Sequence, residues 1–390
     1  MRNAKVPRMP HVRRRKTCSS DDTTTMNLQR RRFLRLGGAA IAASQLPGCA
    51  GSGKIATPGV PRSQFDKNST AVEVTRDIDL TGKVAVVTGC TSGIGFETMR
   101  VLALRGARVI GTSRSLASAT AACKSVNGVT TPLQLELGDL ESVVACGNII
   151  RNIDAPVDML VCNAGYLGAG GEAQRINGIE KHFAVNHIGH FVLVNRLLGR
   201  LYMSDQGRIV VVASRAAYTD APEQGIEFDN LDGSRDYGDR RAYGHSKLAN
   251  VLFALHLGEL LKGTRITVNA LHPGVINTEI DRHMNNFMQT AFAVATTLGY
   301  GKSIEQGAAT TCYVATSPLL GATSGKYFED CNAVTVTGAG HLHDDEMAAR
   351  LWQVSEEMTR EHLLTHRGAD LNDFEKALQQ RAKRNNDEQE

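Results

Sequence analysis

The sequence predicts an α/β fold: one domain built on a doubly wound, mainly parallel sheet of about seven strands, with helices on both faces. Three observations predict it. From Asp77 onward, short β-branched apolar runs alternate with stretches of helical periodicity, the pattern of a parallel sheet covered by helices. A glycine-rich turn separates the first such run from the first helical stretch. Hydrophobic residues make up 42% of the 390 positions, enough for one sizeable core.

Residues 1–35 differ from the rest. They hold eleven basic side chains against Asp21 and Asp22, so they carry +9 of a whole-chain net charge of +4 and leave −5 for the remainder. The body therefore offers no general case for nucleic-acid binding. Arg30-Arg31-Arg32-Phe33-Leu34-Arg35, followed by a short apolar run, resembles a twin-arginine export signal. Leu46-Pro47-Gly48-Cys49 resembles a lipobox, which makes Cys49 the candidate lipidation site. Met26 is a natural start for residues 26–49 as a signal, which leaves 1–25 as an over-extended start or a disordered basic tail. These features imply an exported, lipid-anchored protein of the cell envelope. An organelle-targeting peptide, or a plain basic tail on a cytoplasmic protein, stays open. No run reaches the ~20 apolar residues of a spanning helix, so membrane attachment is expected only through the lipid. Residues 50–77, rich in Gly, Pro, Ser and Thr up to Ser69, read as a flexible tether.

The domain is expected over 78–345. "KVAVVTG" (83–89) reads as a buried strand and "GIGFETMRVLALRGA" (93–107) as a helix. Between them, Gly89, Thr91, Ser92, Gly93, Ile94 and Gly95 form a turn whose glycines let the backbone approach a pyrophosphate at a helix N-terminus. "VDMLV" is a strand ending at Cys162-Asn163-Ala164-Gly165. Asn186 lies in a helical stretch. "GRIVVVAS" is a strand closing on Ser214, and "AYGHSKLANVLFALHL" is a helix carrying Tyr243 and Lys247. "RITVNAL" is a strand followed by "HPGVINT", which contains Pro273, Gly274 and Thr278. A helix around "MAARLWQVSEEM" and a charged tail fill 346–390. The eight cysteines show neither CxxC pairs nor zinc spacing, so they read as free apolar thiols, and no metal site is expected.

Taken together and in this order, T-G-x-x-x-G-x-G, CNAG, Asn186, Ser214 and Tyr243-x-x-x-Lys247 resemble the short-chain dehydrogenase/reductase family. "NALHPGV" and "GKYFEDC" resemble its retinol dehydrogenase and WW-domain oxidoreductase branch. The resemblance implies a Rossmann fold and hydride transfer between a nicotinamide cofactor and an alcohol or carbonyl. It assigns Ser214 to the substrate oxygen, Lys247 to the nicotinamide ribose, and Asn186 to a water that links Lys247 to solvent. Asn163 gets a structural role beside the adenosine, with Ala164 and Gly165.

Chemistry supports the pairing. Residues four apart on a helix share a face. A phenol loses its proton at about pH 10, and a neighbouring ammonium favours the phenolate, which makes Tyr243 a general acid or base. At the end of the second strand, Ser113-Arg114 stands where NAD-selective folds carry an acid. Arg114 is thus the candidate 2′-phosphate ligand, and NADP(H) is expected over NAD(H); a merely solvated arginine is the alternative. Glu136 takes the place of the family's adenine-side Asp, with Asp139 open to a plain capping role. Met284, Phe287, Met288, Phe292 and Leu298 lie at helical spacing in the family's variable loop and suit a lipophilic alcohol, aldehyde or ketone; core packing explains them equally well. A homodimer is compatible with all of this. The rivals are a non-catalytic nucleotide-binding sensor or scaffold on the same fold, and a protochlorophyllide-type reductase.

Overall fold

The computed structural model describes residues 53–168, 170–276 and 301–364. Cys49 with the rest of the leader, Thr278, the Met/Phe positions of 281–301 and the charged tail beyond Leu364 lie outside the described residues.

Strand β1 (Lys54–Ala56) and the one-turn helix α1 (Ala71–Val74) precede the alternating core. Then follow β2 (Val84–Thr88), α2 (Gly93–Leu104), β3 (Arg108–Ser113), α3 (Leu116–Lys124), β4 (Thr130–Gln134), α4 (Leu140–Arg151) and β5 (Met159–Cys162). A small hairpin, β6 (Arg175–Ile176) and β7 (Ile179–Glu180), leads into α5 (Lys181–Phe183), a π-helical turn over Ala184–Ile188, and α6 (Gly189–Tyr202). The second half is β8 (Gly207–Val212), α7 (Ala216–Thr219), α8 (Asp239–Leu260), β9 (Ile266–His272), α9 (Ile304–Thr316), β10 (Lys326–Glu329), β11 (Asn332–Val336) and α10 (Asp345–Leu364).

The main sheet runs β1-β11-β10-β9-β8-β5-β2-β3-β4. Seven neighbours, β4 through β10 in that order, are parallel, and β11 and β1 are antiparallel additions. The sheet thus has nine strands rather than about seven. Strand order reverses between β2 and β5, the switch point where doubly wound sheets bind ligands. Alternation builds both faces: Val84 and Val86 of β2 enter one apolar cluster with α4, α6, α8 and α10, while Ala85 and Val87 enter the other with α1, α2 and α9.

Residues 53–77 correct the tether expectation. β1 pairs with β11, Lys54 opposite Val336. The Ser63 amide donates to Asn332 Oδ1 at 3.0 Å, and Asn332 Nδ2 donates to the Phe65 carbonyl at 3.0 Å. The Phe65 ring meets Tyr313 edge-on at 6.0 Å, and Thr70 with Glu73 forms a capping box on α1. The physical reason is the outer edge of β11, whose unpaired backbone groups need a partner. The glycines and prolines mark bends between these short contacts.

α10 belongs to the same body. Trp352 stacks on Phe253 at 5.9 Å and meets Phe191 edge-on at 4.9 Å. The six described cysteines are buried free thiols, and no described helix is long and apolar enough to cross a membrane.

Candidate active site

The first part of the site is the turn after β2. Gly89 and Gly93 hold φ of +71° and +58°, in the left-handed region where glycine is at ease. A Cβ on Gly95 would stand 2.1 Å from the Gly89 carbonyl oxygen and 2.4 Å from Asn163 Nδ2. That contact leaves no room for a side chain, so the turn is a cradle shaped by backbone. Ser92 occupies the N-cap of α2 without a side-chain cap, and the first helical turn holds no acid. Those backbone N–H groups and the positive end of the helix dipole suit a pyrophosphate. Thr91 is exposed on this turn, and Ile94 packs against the α2/α9 side of the core. Gly95→Ala is therefore expected to weaken nucleotide binding at least about a hundredfold, measurable by titrating the cofactor's fluorescence. Binding within twofold of wild type would remove the cradle.

Asn163 braces the turn after β2. Its Nδ2 donates to the Thr88 carbonyl at 2.9 Å, while its own amide and that of Ala164 donate to Thr88 Oγ1, each at 2.9 Å. Gly165 continues this half-buried stretch. Ser113 ends β3 and donates from Oγ to the Ser115 carbonyl at 2.7 Å. Arg114 follows it, exposed. Glu136 turns its carboxylate onto the Gly138 amide at 3.1 Å, and Asp139 caps α4 through the Glu141 amide at 3.0 Å. Pro273 and Gly274 leave the end of β9. Gly274 holds φ +106°, and a Cβ there would meet Lys302 Cδ at 2.5 Å.

The second part gathers around α8. Lys247 is 2% exposed and donates from Nζ to the Val212 carbonyl at 2.9 Å; burial pushes its ammonium down to about 8. The same Nζ lies 5.6 Å from the centre of the Tyr243 ring. Ser214 lies two residues past the end of β8, its Oγ accepting the Ala216 amide at 3.2 Å. Asn186 sits in the π-turn, a local insertion that sequence periodicity does not register. Its amide is taken up by protein: Nδ2 donates to the Tyr166 carbonyl at 3.0 Å and to Ser246 Oγ at 2.9 Å, and Oδ1 accepts the Tyr166 amide at 2.6 Å. Asn186 thereby ties the stretch after CNAG to the helix of Tyr243 and Lys247.

Two histidines of this network escape a sequence reading. His190 Nε2 lies 2.9 Å from Thr88 Oγ1, and His190 Nδ1 lies 3.0 Å from the Asn186 carbonyl. The Asn186 carbonyl can only accept, so the proton sits on Nδ1, and Nε2 accepts from the Thr88 hydroxyl. The other is His182, against Tyr243. The i,i+4 spacing of Asn186 and His190 was the available signal for the first. Burial holds His187 and His272 near 3, and His190 and His245 near 4. These imidazoles are neutral when folded and take up protons on unfolding below about pH 6.5, so they destabilise the fold as pH falls from there toward 4. Each is expected to remove up to about 1.4 kcal/mol per pH unit over that range. Denaturant melts at pH 7 and pH 5 check this, and equal midpoints would contradict it.

Comparison with known proteins agrees with this geometry. A family model described as short chain dehydrogenase matches residues 83–226. Short-chain dehydrogenase TIC 32 A, chloroplastic, of Brassica napus is 39% identical over 75% of this chain and 94% of its own length. Retinol dehydrogenase 12 of Mus musculus is 37% identical over 73% of this chain and 88% of its own. Among solved structures, an uncharacterised protein from Mycobacterium paratuberculosis superposes with a TM-score of 0.59 at 31% identity, over 75% of this chain and 98% of that one. With the cradle after β2, the Tyr243/Lys247 helix and relatives matched over nearly their full length, the chain belongs to the short-chain dehydrogenase/reductase family, oxidoreductases that act on CH–OH groups with a nicotinamide cofactor.

Proposed function

We propose that the chain is an NADP(H)-dependent oxidoreductase that interconverts an alcohol and a carbonyl on a small lipophilic substrate. The observation that carries this reading is the buried Lys247 ammonium 5.6 Å from the Tyr243 ring, one helical turn away on α8. A cation there stabilises negative charge on the phenol oxygen, so Tyr243 gives its proton to a carbonyl oxygen in reduction and takes it from an alcohol in oxidation. Ser214 donates to the same oxygen as charge develops. The residues fit a dinucleotide: the backbone cradle of Gly89, Gly93 and Gly95 and the uncapped start of α2 would hold its pyrophosphate, and Lys247 its nicotinamide ribose. When bound, the cofactor supplies or receives hydride. Exposed Arg114 at the end of β3, with no acid beside it, supports NADP(H) over NAD(H). The relative named retinol dehydrogenase supports the lipophilic substrate.

The test is loss of NADPH and NADH absorbance with the full chain against retinal, steroid ketones and medium-chain aldehydes. NADPH oxidation that disappears in Tyr243→Phe supports the reading. Cofactor binding without turnover on any compound would favour a nucleotide-binding sensor. Arg114→Ala is expected to raise KM for NADPH about tenfold and leave KM for NADH within about twofold; an unchanged preference would remove the 2′-phosphate assignment. The arginine run and Cys49 support attachment to the cell envelope through a lipid. Cys49→Ala is then expected to move the protein from the membrane to the soluble fraction, and unchanged fractionation would reject the anchor.

A further inference from the structure

Beside Tyr243, a buried imidazole is held from two directions. His182 Nδ1 lies 2.7 Å from Glu180 Oε1, and the Gly168 amide donates to His182 Nε2 at 2.9 Å. The Gly168 bond leaves the proton on Nδ1, where it donates to Glu180. Glu180 is itself fixed, since Oε2 accepts the Phe183 amide at 3.1 Å at the start of α5. The imidazole is fully buried, meets the Tyr243 ring edge-on at 6.3 Å, and lies against the Tyr166 ring at 4.8 Å. Gly168 is closely framed as well: a Cβ there would stand 2.4 Å from Asp239 Oδ1, on the first residue of α8 and one turn before Tyr243.

We propose that His182 is a positioning residue of the reaction, and that with Glu180 it sets the placement of both the Tyr243 ring and the 166–168 segment, which forms the substrate-side wall of the site. The proposal rests on the reading of Tyr243 as proton donor and deepens it. The segment leaves the nucleotide-facing CNAG turn and crosses the start of α8, so its position decides how much room a carbonyl compound has beside the phenol. The polar and ring contacts of His182 run to Gly168, Glu180, Tyr166 and Tyr243, so its loss is expected to be felt by substrate more than by nucleotide. The Glu180 carboxylate orients the ring and the Gly168 N–H locks it. Removing the imidazole releases the wall and takes away the edge contact on Tyr243 together.

The experiment compares His182→Ala and His182→Gln in the full chain, since a glutamine Oε1 can accept the Gly168 N–H. By NMR, with the Tyr243 ring signal identified from Tyr243→Phe, His182→Ala is expected to shift both that signal and the Gly168 amide, and His182→Gln to return the amide toward its wild-type position. In turnover, His182→Ala is expected to raise the KM of the responding carbonyl compound about tenfold while KM for NADPH stays within about twofold, with most of the loss restored by glutamine. Unmoved Tyr243 and Gly168 signals overturn the proposal. So does His182→Ala that loses nucleotide affinity in step with activity, which would mark a merely structural role. If the wild-type chain reduces nothing in the panel, the proton-donor reading fails on its own, and the NMR signals still decide the placement.

Discussion

Replacing Lys247 with methionine is expected to make the protein more stable and to abolish its turnover. The side chain is fully enclosed, with one hydrogen bond to the Val212 carbonyl, and burial pulls its ammonium from 10.5 to about 8. At neutral pH that shift corresponds to about 3 kcal/mol by which the fold carries a charge the unfolded chain holds more comfortably. Methionine has similar length and no charge, and its cost is about 1 kcal/mol for a carbonyl left without its donor. The net gain of about 2 kcal/mol is expected to lift the unfolding temperature by about 3 °C, while loss of the cation beside Tyr243 lowers kcat by about a thousandfold or more. The pH dependence separates this from a generic packing effect. Below about pH 8 both folded and unfolded chains hold the proton, and the penalty is complete. Between about 8 and 10.5 only the unfolded chain holds it, so stability rises with pH and the penalty disappears. Melts without added nucleotide should show this rise in wild type and its absence in Lys247→Met. A variant that melts below wild type at pH 7 would contradict the argument.

Starting the chain at Ser69 is expected to cost about 3 kcal/mol or more and to promote association through β11. The shortened chain lacks β1, the Phe65–Tyr313 contact and both bonds to Asn332. It also lacks Lys54, which pairs with Glu329, a carboxylate only 5% exposed whose other oxygen accepts the Tyr218 hydroxyl at 2.9 Å. An enclosed carboxylate that loses its cation is costly. Urea melts and light scattering of chains beginning at Ala50 and at Ser69 make the comparison. Equal midpoints and equal solubility would return residues 53–68 to the status of a passive linker.

β4 (TTPLQ) and β10 (KYFE) carry no apolar β-branched run, and only the resemblance and the expected count pointed to them. The other five parallel strands were legible because each is a local pattern: a β-branched run beside a glycine turn or a helical stretch. β1 was not. It is three residues long, all exposed, and its partner lies some 280 positions away, so nothing in its own sequence marks it. Turn-forming composition up to Ser69 then argued for a tether, although the same residues are needed to bend the chain between contacts. β11 was missed for a related reason, since an antiparallel addition breaks the strand–helix alternation that announced the others. At the site, residue type and spacing placed Tyr243 and Lys247 on one helix, Ser214 just past a strand and the cradle between strand and helix, while the roles of these residues came from the family resemblance. His182 was not legible, because a lone buried histidine has no spacing signature, and His190 offered only its i,i+4 spacing from Asn186; their meaning lies in Gly168, Glu180, Thr88 and Asn186, which the fold gathers from separate elements. The π-turn at Asn186 is likewise set by tertiary contacts and not by propensity.

The junction beyond β9 has a mechanical consequence. Ile276 bridges to Lys302, the Lys302 amide donates to the Val275 carbonyl at 2.9 Å, and Lys302 Nζ pairs with Asp330 at 2.6 Å. One lysine just before α9 thus fastens the end of β9 to the turn between β10 and β11. A strain applied to any one of these three segments is shared by the other two, so this corner of the sheet yields as a unit.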